Sequence, residues 1–121
     1  MKEEAKRWFD KSMKDLGNAE YNLDGKKYDL TVFLVQQSVE KSLKAMQIEN
    51  SNTFDKVHDL LVLGKKVNAP EEILNFCKDI SPFYTIARYP DVEEEVDGET
   101  AKEILKKGKK VNKWVEKTLK H

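Results

Sequence analysis

Apolar residues fall along this chain at intervals of three and four, with charged residues between them. That spacing places them on one face of an α-helix. The first such stretch covers residues 4–23, where Ala5, Trp8, Phe9, Ser12, Leu16, Ala19 and Leu23 form one stripe. Asp24-Gly25 then predicts a stop, because glycine accepts the left-handed conformation that ends many helices. The second stretch, about 28–48, steps by 3, 4, 4 and 3 through Val32, Val35, Val39, Leu43 and Met46. Leu30 and Leu34 lie nearly opposite that face. A helix apolar on both sides is either central to a bundle or covered by a second chain.

After the polar loop Asn50-Ser51-Asn52-Thr53, the pattern predicts a helix at about 55–67 carrying Val57, Leu60, Leu61, Leu63 and Val67. Pro70-Glu71-Glu72 opens the next, with proline in the first turn and acids at the positive end of the helix dipole. It carries Ile73, Leu74, Phe76 and Cys77, and Ser81-Pro82 restarts a short helix with Phe83, Tyr84, Ile86 and Ala87. Residues 88–98 read as irregular. The last helix, about 99–119, aligns Ala101, Ile104, Leu105, Gly108, Val111, Val115 and Leu119. Asn112 falls inside that stripe, where a buried amide needs partners across the bundle or at a dimer seam. With no strand alternation or internal repeat, the chain reads as one all-α domain, an antiparallel bundle of about five helices spanning 1–121.

Composition narrows the functional classes. The 121 residues hold 22 basic and 22 acidic side chains, so no global field draws in nucleic acid or anionic membrane. Of the basic residues only Arg7 and Arg88 are arginines, the type suited to bidentate phosphate recognition. Cys77 is the sole cysteine, which excludes an intrachain disulfide and a cysteine-based zinc cluster. No apolar run reaches the roughly 20 residues of a membrane span, and the N-terminus lacks a signal-like apolar stretch. A cytoplasmic protein is the expectation, with neither metal nor cofactor implied.

Candidate chemistry concentrates in three places. On the second helix, Gln36, Glu40 and Lys44 form one polar row and Gln37 and Lys41 a second, fit either for a ligand or for ion pairs between helix turns. His58, within His58-Asp59-Leu60, stands at the start of the third helix. It can act as a general base or acid, or donate a hydrogen bond that fixes the loop. Arg88 lies between Tyr84 and Tyr89, where it can clamp a phosphate beside a stacking tyrosine, or pair with Asp91 or Glu40. Phosphate-loop, serine-nucleophile and calcium-loop patterns are missing. The lysines of the last helix, diluted by Glu103 and Glu116, read as a solvated face.

In order along the chain stand Arg7-Trp8-Phe9, Gly25-Lys26-Lys27-Tyr28, Gln36-Gln37 followed by Glu40-Lys41 and Lys44-Ala45, His58-Asp59-Leu60, and Arg88-Tyr89-Pro90-Asp91. Taken together this series resembles the HEPN family of small helical-bundle proteins. The resemblance implies a five-helix homodimer, with a nucleotide ligand or a minimal nucleotidyltransferase as partner in a toxin–antitoxin-type module. Many members resembled here are metal-independent ribonucleases with an Arg-x(4–6)-His motif, in which histidine activates the ribose 2′-hydroxyl and arginine stabilises phosphate charge. In this chain Glu93, Glu94 and Glu95 stand where that histidine would follow Arg88, and Ser12, Met13 and Lys14 where it would follow Arg7. The family's usual RNA cleavage is therefore not expected. The leading expectation is a protein that binds a nucleotide or a nucleotidyltransferase through Gln37, Lys41, Lys44, His58, Tyr84 and Arg88. The alternatives are a ribonuclease toxin using His58 and Arg88, and a non-catalytic structural or adaptor dimer.

Overall fold

A computed structural model describes residues 1–86, 88–89 and 95–120. Among them all regular structure is helical. The helices are α1 (Glu3–Asp24), α2 (Tyr28–Ser51), α3 (Leu60–Lys66), α4 (Glu71–Ile80) and α5 (Gly98–Leu119), with a 3₁₀ turn at Ser81–Tyr84. The apolar stripes read from the sequence face inward. Val32, Val35, Val39 and Leu43 of α2 share one core with Phe9, Leu16 and Ala19 of α1, and with Ala101, Leu105, Val111 and Val115 of α5, all buried. Leu60, Leu63, Ile73, Cys77 and Ile80 extend the core across α3 and α4. The α2 helix is the centre of the bundle and touches every other helix and the 3₁₀ turn.

Two close approaches tighten that centre. Gly108 lets α5 lie directly on α2, since a Cβ there would run into the Val35 side chain. Ser12 and Ser38 exchange reciprocal hydrogen bonds, each hydroxyl donating 2.7 Å to the other residue's carbonyl oxygen. Asn112 then donates to Ser38 Oγ at 2.7 Å, so the amide expected to reach across the bundle does so. These bonds cross-link three helices where purely apolar contacts could slide.

Two expectations are corrected in the turns. The first helix stops at Asp24 as expected, but the left-handed residue is Lys26, whose φ is 60°, whereas Gly25 keeps a negative φ of −81°. The third helix starts at Leu60, not near residue 55. Asp59 accepts hydrogen bonds from the Leu61 and Val62 amides at 2.9 and 3.3 Å, which fixes the first turn there. The preceding residues are irregular, pinned where Gln47 Oε1 accepts from the Asp55 amide. His58 therefore belongs to a loop laid across α2 and not to the helix.

Candidate functional site

The loop ahead of α3 covers the polar row of α2. Gln36, Glu40 and Lys44 stand one turn apart on that helix, so they share a face, and all three are buried. Glu40 is the hub. It accepts from Lys44 Nζ at 3.0 Å, from His58 Nδ1 at 3.0 Å and from Gln36 Nε2 at 3.2 Å. Gln36 also reaches the His58 carbonyl at 3.2 Å, which locks the loop from its backbone side. Burial pushes the Glu40 carboxyl up, but the hydrogen bonds from Lys44, His58 and Gln36 and the Lys44 charge outweigh it. The carboxyl is held below its usual range.

An ionised carboxylate only accepts hydrogen bonds, so His58 Nδ1 carries the proton towards Glu40. The imidazole is then fixed in the tautomer whose far nitrogen, Nε2, is unprotonated when the ring is neutral. The His58 side chain is 49% exposed. Its ring stacks on Tyr84 with centroids 4.1 Å apart and an interplanar angle of 14°. Arg88 completes the assembly, its guanidinium carbon 4.5 Å from the Tyr84 ring centre and 5.5 Å from that of Phe33. Beside this stack lies an open groove of about 390 Å³ between the α3 entrance, α4 and the 3₁₀ turn. His58, Asp59, Lys78, Ser81 and Tyr84 are on its walls.

The six residues expected to bind a ligand divide into two groups. Lys44, His58, Tyr84 and Arg88 lie on one connected path, through Glu40 from the first to the second. Lys41 turns instead towards α1, where it pairs with the buried Asp15 at 2.6 Å, and Lys11 approaches the same carboxylate at 3.2 Å. Gln37 donates to Gln36 Oε1 at 2.8 Å and so braces the row from its edge. Lys44 is spent on Glu40 and also sits over the Phe54 ring, 5.4 Å from its centre. The Tyr84 ring already holds His58 and Arg88, so a planar ligand would stack there only by displacing one of them.

The sequence reading missed Lys78, a cation of α4 on the groove wall. No local pattern singles it out, since it is one of twenty lysines. Of the pairings weighed for Arg88, Glu40 is occupied by other donors, and Asp91 lies outside the described residues. So do Glu93 and Glu94, two of the three glutamates that follow Arg88 at the motif spacing. Among the described residues no group of three or more histidine, cysteine, aspartate or glutamate side chains is placed to hold a metal ion. Nor is any helix long and apolar enough to cross a membrane.

The HEPN domain family matches residues 5–118, nearly the whole chain. The chain belongs to that family. Two solved structures share the fold over almost their entire lengths. TT1696 from Thermus thermophilus superposes with a TM-score of 0.85 at 24% identity, covering 96% of this chain and 98% of its own. ST0689, described as an archaeal HEPN homologue, gives a TM-score of 0.81 at 28% identity, covering 98% and 99%. No functionally curated protein is detectably similar in sequence. Within this HEPN chain, the buried Glu40 hub and the His58–Tyr84–Arg88 stack join one polar network beside an open groove.

Proposed function

We propose that this HEPN protein binds a nucleotide in the groove beside His58 and Arg88, without the Arg-x(4–6)-His chemistry of the family's ribonucleases. One observation carries the reading. His58 is oriented from behind by the buried Glu40, while half of its side chain faces solvent at a groove. A buried carboxylate that holds an exposed imidazole in one tautomer preorganises it for a ligand and adds little that a simple loop tie would need. Lys78 on the groove wall, and Arg88 on the adjoining Tyr84 ring, then supply the positive charge for phosphate, because Lys41 and Lys44 are engaged with Asp15 and Glu40. The family relationship suggests a minimal nucleotidyltransferase as partner and a second copy of this chain. Leu30, 41% exposed on α2, and the half-buried Leu34 beside it offer such a copy an apolar contact. Calorimetric titration with the four ribonucleoside triphosphates tests the nucleotide reading. Saturable binding, weakened at least tenfold by His58→Ala and by Arg88→Ala, is expected. No saturation with the wild-type protein refutes it.

A second reading is favoured by the meeting of His58 and Arg88 on one tyrosine ring. In it His58 Nε2 accepts the proton of a ribose 2′-hydroxyl while Arg88 balances charge on the adjacent phosphate, with no metal required. Prolonged incubation of RNA with the protein in a chelator decides it. Cleavage lost in both His58→Ala and Arg88→Ala supports the ribonuclease, and intact RNA removes it.

A further inference from the structure

The α4–α5 face has a feature that neither the nucleotide groove nor the packing explains. Of the 22 residues of α5, seven are lysines and three are glutamates. Lys107 is paired with Asp79, and Lys109 with Glu20. Among the described residues Lys110, Lys113 and Lys117 have no carboxylate within 4.0 Å, although they are three and four residues apart on one face. Like charges at that spacing repel one another and destabilise the helix. These three lysines line a groove of about 270 Å³ whose apolar wall includes Phe76 of α4 and Trp114 of α5. Both aromatic residues are half-buried, and Lys110 Nζ sits 5.5 Å from the centre of the Phe76 ring. Glu72 is the one carboxylate on that wall.

We propose that this groove is a docking face for single-stranded nucleic acid, separate from the site at His58. The lysines answer the regularly spaced charge of a phosphate backbone. With a helical rise of about 1.5 Å per residue, Lys110 and Lys117 stand roughly 10 Å apart along the axis, a row long enough for consecutive phosphates of one strand. Trp114 and Phe76 add apolar and π surface, on which planar bases stack and the carboxylate side chains of an acidic run do not. The two ingredients of sequence-tolerant single-strand binding, a basic track and aromatic platforms, are thus in one groove on a chain whose net charge is zero. Bound phosphates also relieve the repulsion that the free helix carries.

The test uses a fluorescein-labelled oligouridine in anisotropy titrations, with tryptophan emission read in parallel. Three phosphate contacts give a slope of log K against log salt of about −2, a loss of about 15- to 20-fold in affinity between 50 and 200 mM salt. The triple variant Lys110→Gln/Lys113→Gln/Lys117→Gln is expected to lose most of that slope. All three side chains are exposed, so the fold persists, and relief of repulsion leaves it at least as stable. Emission quenched by the oligonucleotide should survive in Trp8→Phe and vanish in Trp114→Phe. Lys14→Gln, an exposed lysine of α1 outside this groove, should change the affinity less than twofold. Binding unaltered by the triple variant, or lost instead in His58→Ala, overturns the proposal and assigns the strand to the other groove. Displacement of the RNA by an oligoglutamate of equal length and charge overturns it in favour of an acidic-peptide face.

Discussion

Glu40→Gln removes one charge from the centre of the polar core and keeps the side chain's shape. Lys44 is 5% exposed, so its ammonium would be left buried with no carboxylate beside it. Breaking a buried ion pair from one side costs about 3–5 kcal/mol, because the remaining charge is still desolvated. The amide oxygen of glutamine can still accept one hydrogen bond, worth about 1 kcal/mol, which puts the net loss near 3 kcal/mol at neutral pH. Urea unfolding followed by circular dichroism reads this directly. With a slope of about 2 kcal/mol per molar, the midpoint should fall by about 1.5 M. The pH dependence has a definite sign. Glu40 titrates lower in the folded protein than in the unfolded chain. Its stabilisation is therefore complete above the ordinary carboxyl value of about 4.3 and is lost as pH falls through the folded value. The gap between wild type and Glu40→Gln should accordingly narrow below about pH 4. Adding Lys44→Met to the variant removes the stranded charge and should recover at least half of the loss. A gap under 1 kcal/mol at pH 7, or one that widens on acidification, refutes the idea of a buried, ionised hub.

Two glycines should respond to alanine in opposite directions. Gly108→Ala is expected to destabilise by about 1–3 kcal/mol through its clash with Val35, despite a helix-propensity gain of about 1 kcal/mol, and Val35→Ala should relieve it. Gly17→Ala meets nothing within 4 Å and should stabilise by about 0.5–1 kcal/mol; equal effects at the two sites in urea unfolding would contradict the packing described. Burial pushes the Cys77 thiol up to about 12, so thiol reagents at pH 8 should label it slowly in buffer and quickly in urea. Fast labelling of the folded protein would place the residue outside the core.

The helices were legible because their signal is local. Val32, Val35, Val39, Leu43 and Met46 carry their period within one stretch, and their burial follows from it. The polar site was only half legible, and the reason lies in α2. Spacing puts Gln36, Glu40 and Lys44 in a row beside the apolar face, where either solvent or a partner can take them. What decides the matter is the loop ahead of α3, which brings His58 onto Glu40 across 18 residues of sequence. The next residue, Asp59, caps α3 and so keeps His58 outside the helix. An aspartate placed directly before Leu60-Leu61 is a usable start signal, but the apolar Val57 also fits the helical period and extends the expected helix back to about residue 55. Once the cap moves the start to residue 60, His58 is free to turn back over α2, and the row becomes buried. The same step explains why Lys41 and Lys44, neighbours in the expected ligand set, part company. A turn of α2 separates a lysine aimed at Asp15 on α1 from one enclosed beneath the loop. A central helix buries polar residues as well as apolar ones. Leu30, 41% exposed, shows the converse on the same helix, an apolar residue that no neighbouring element covers.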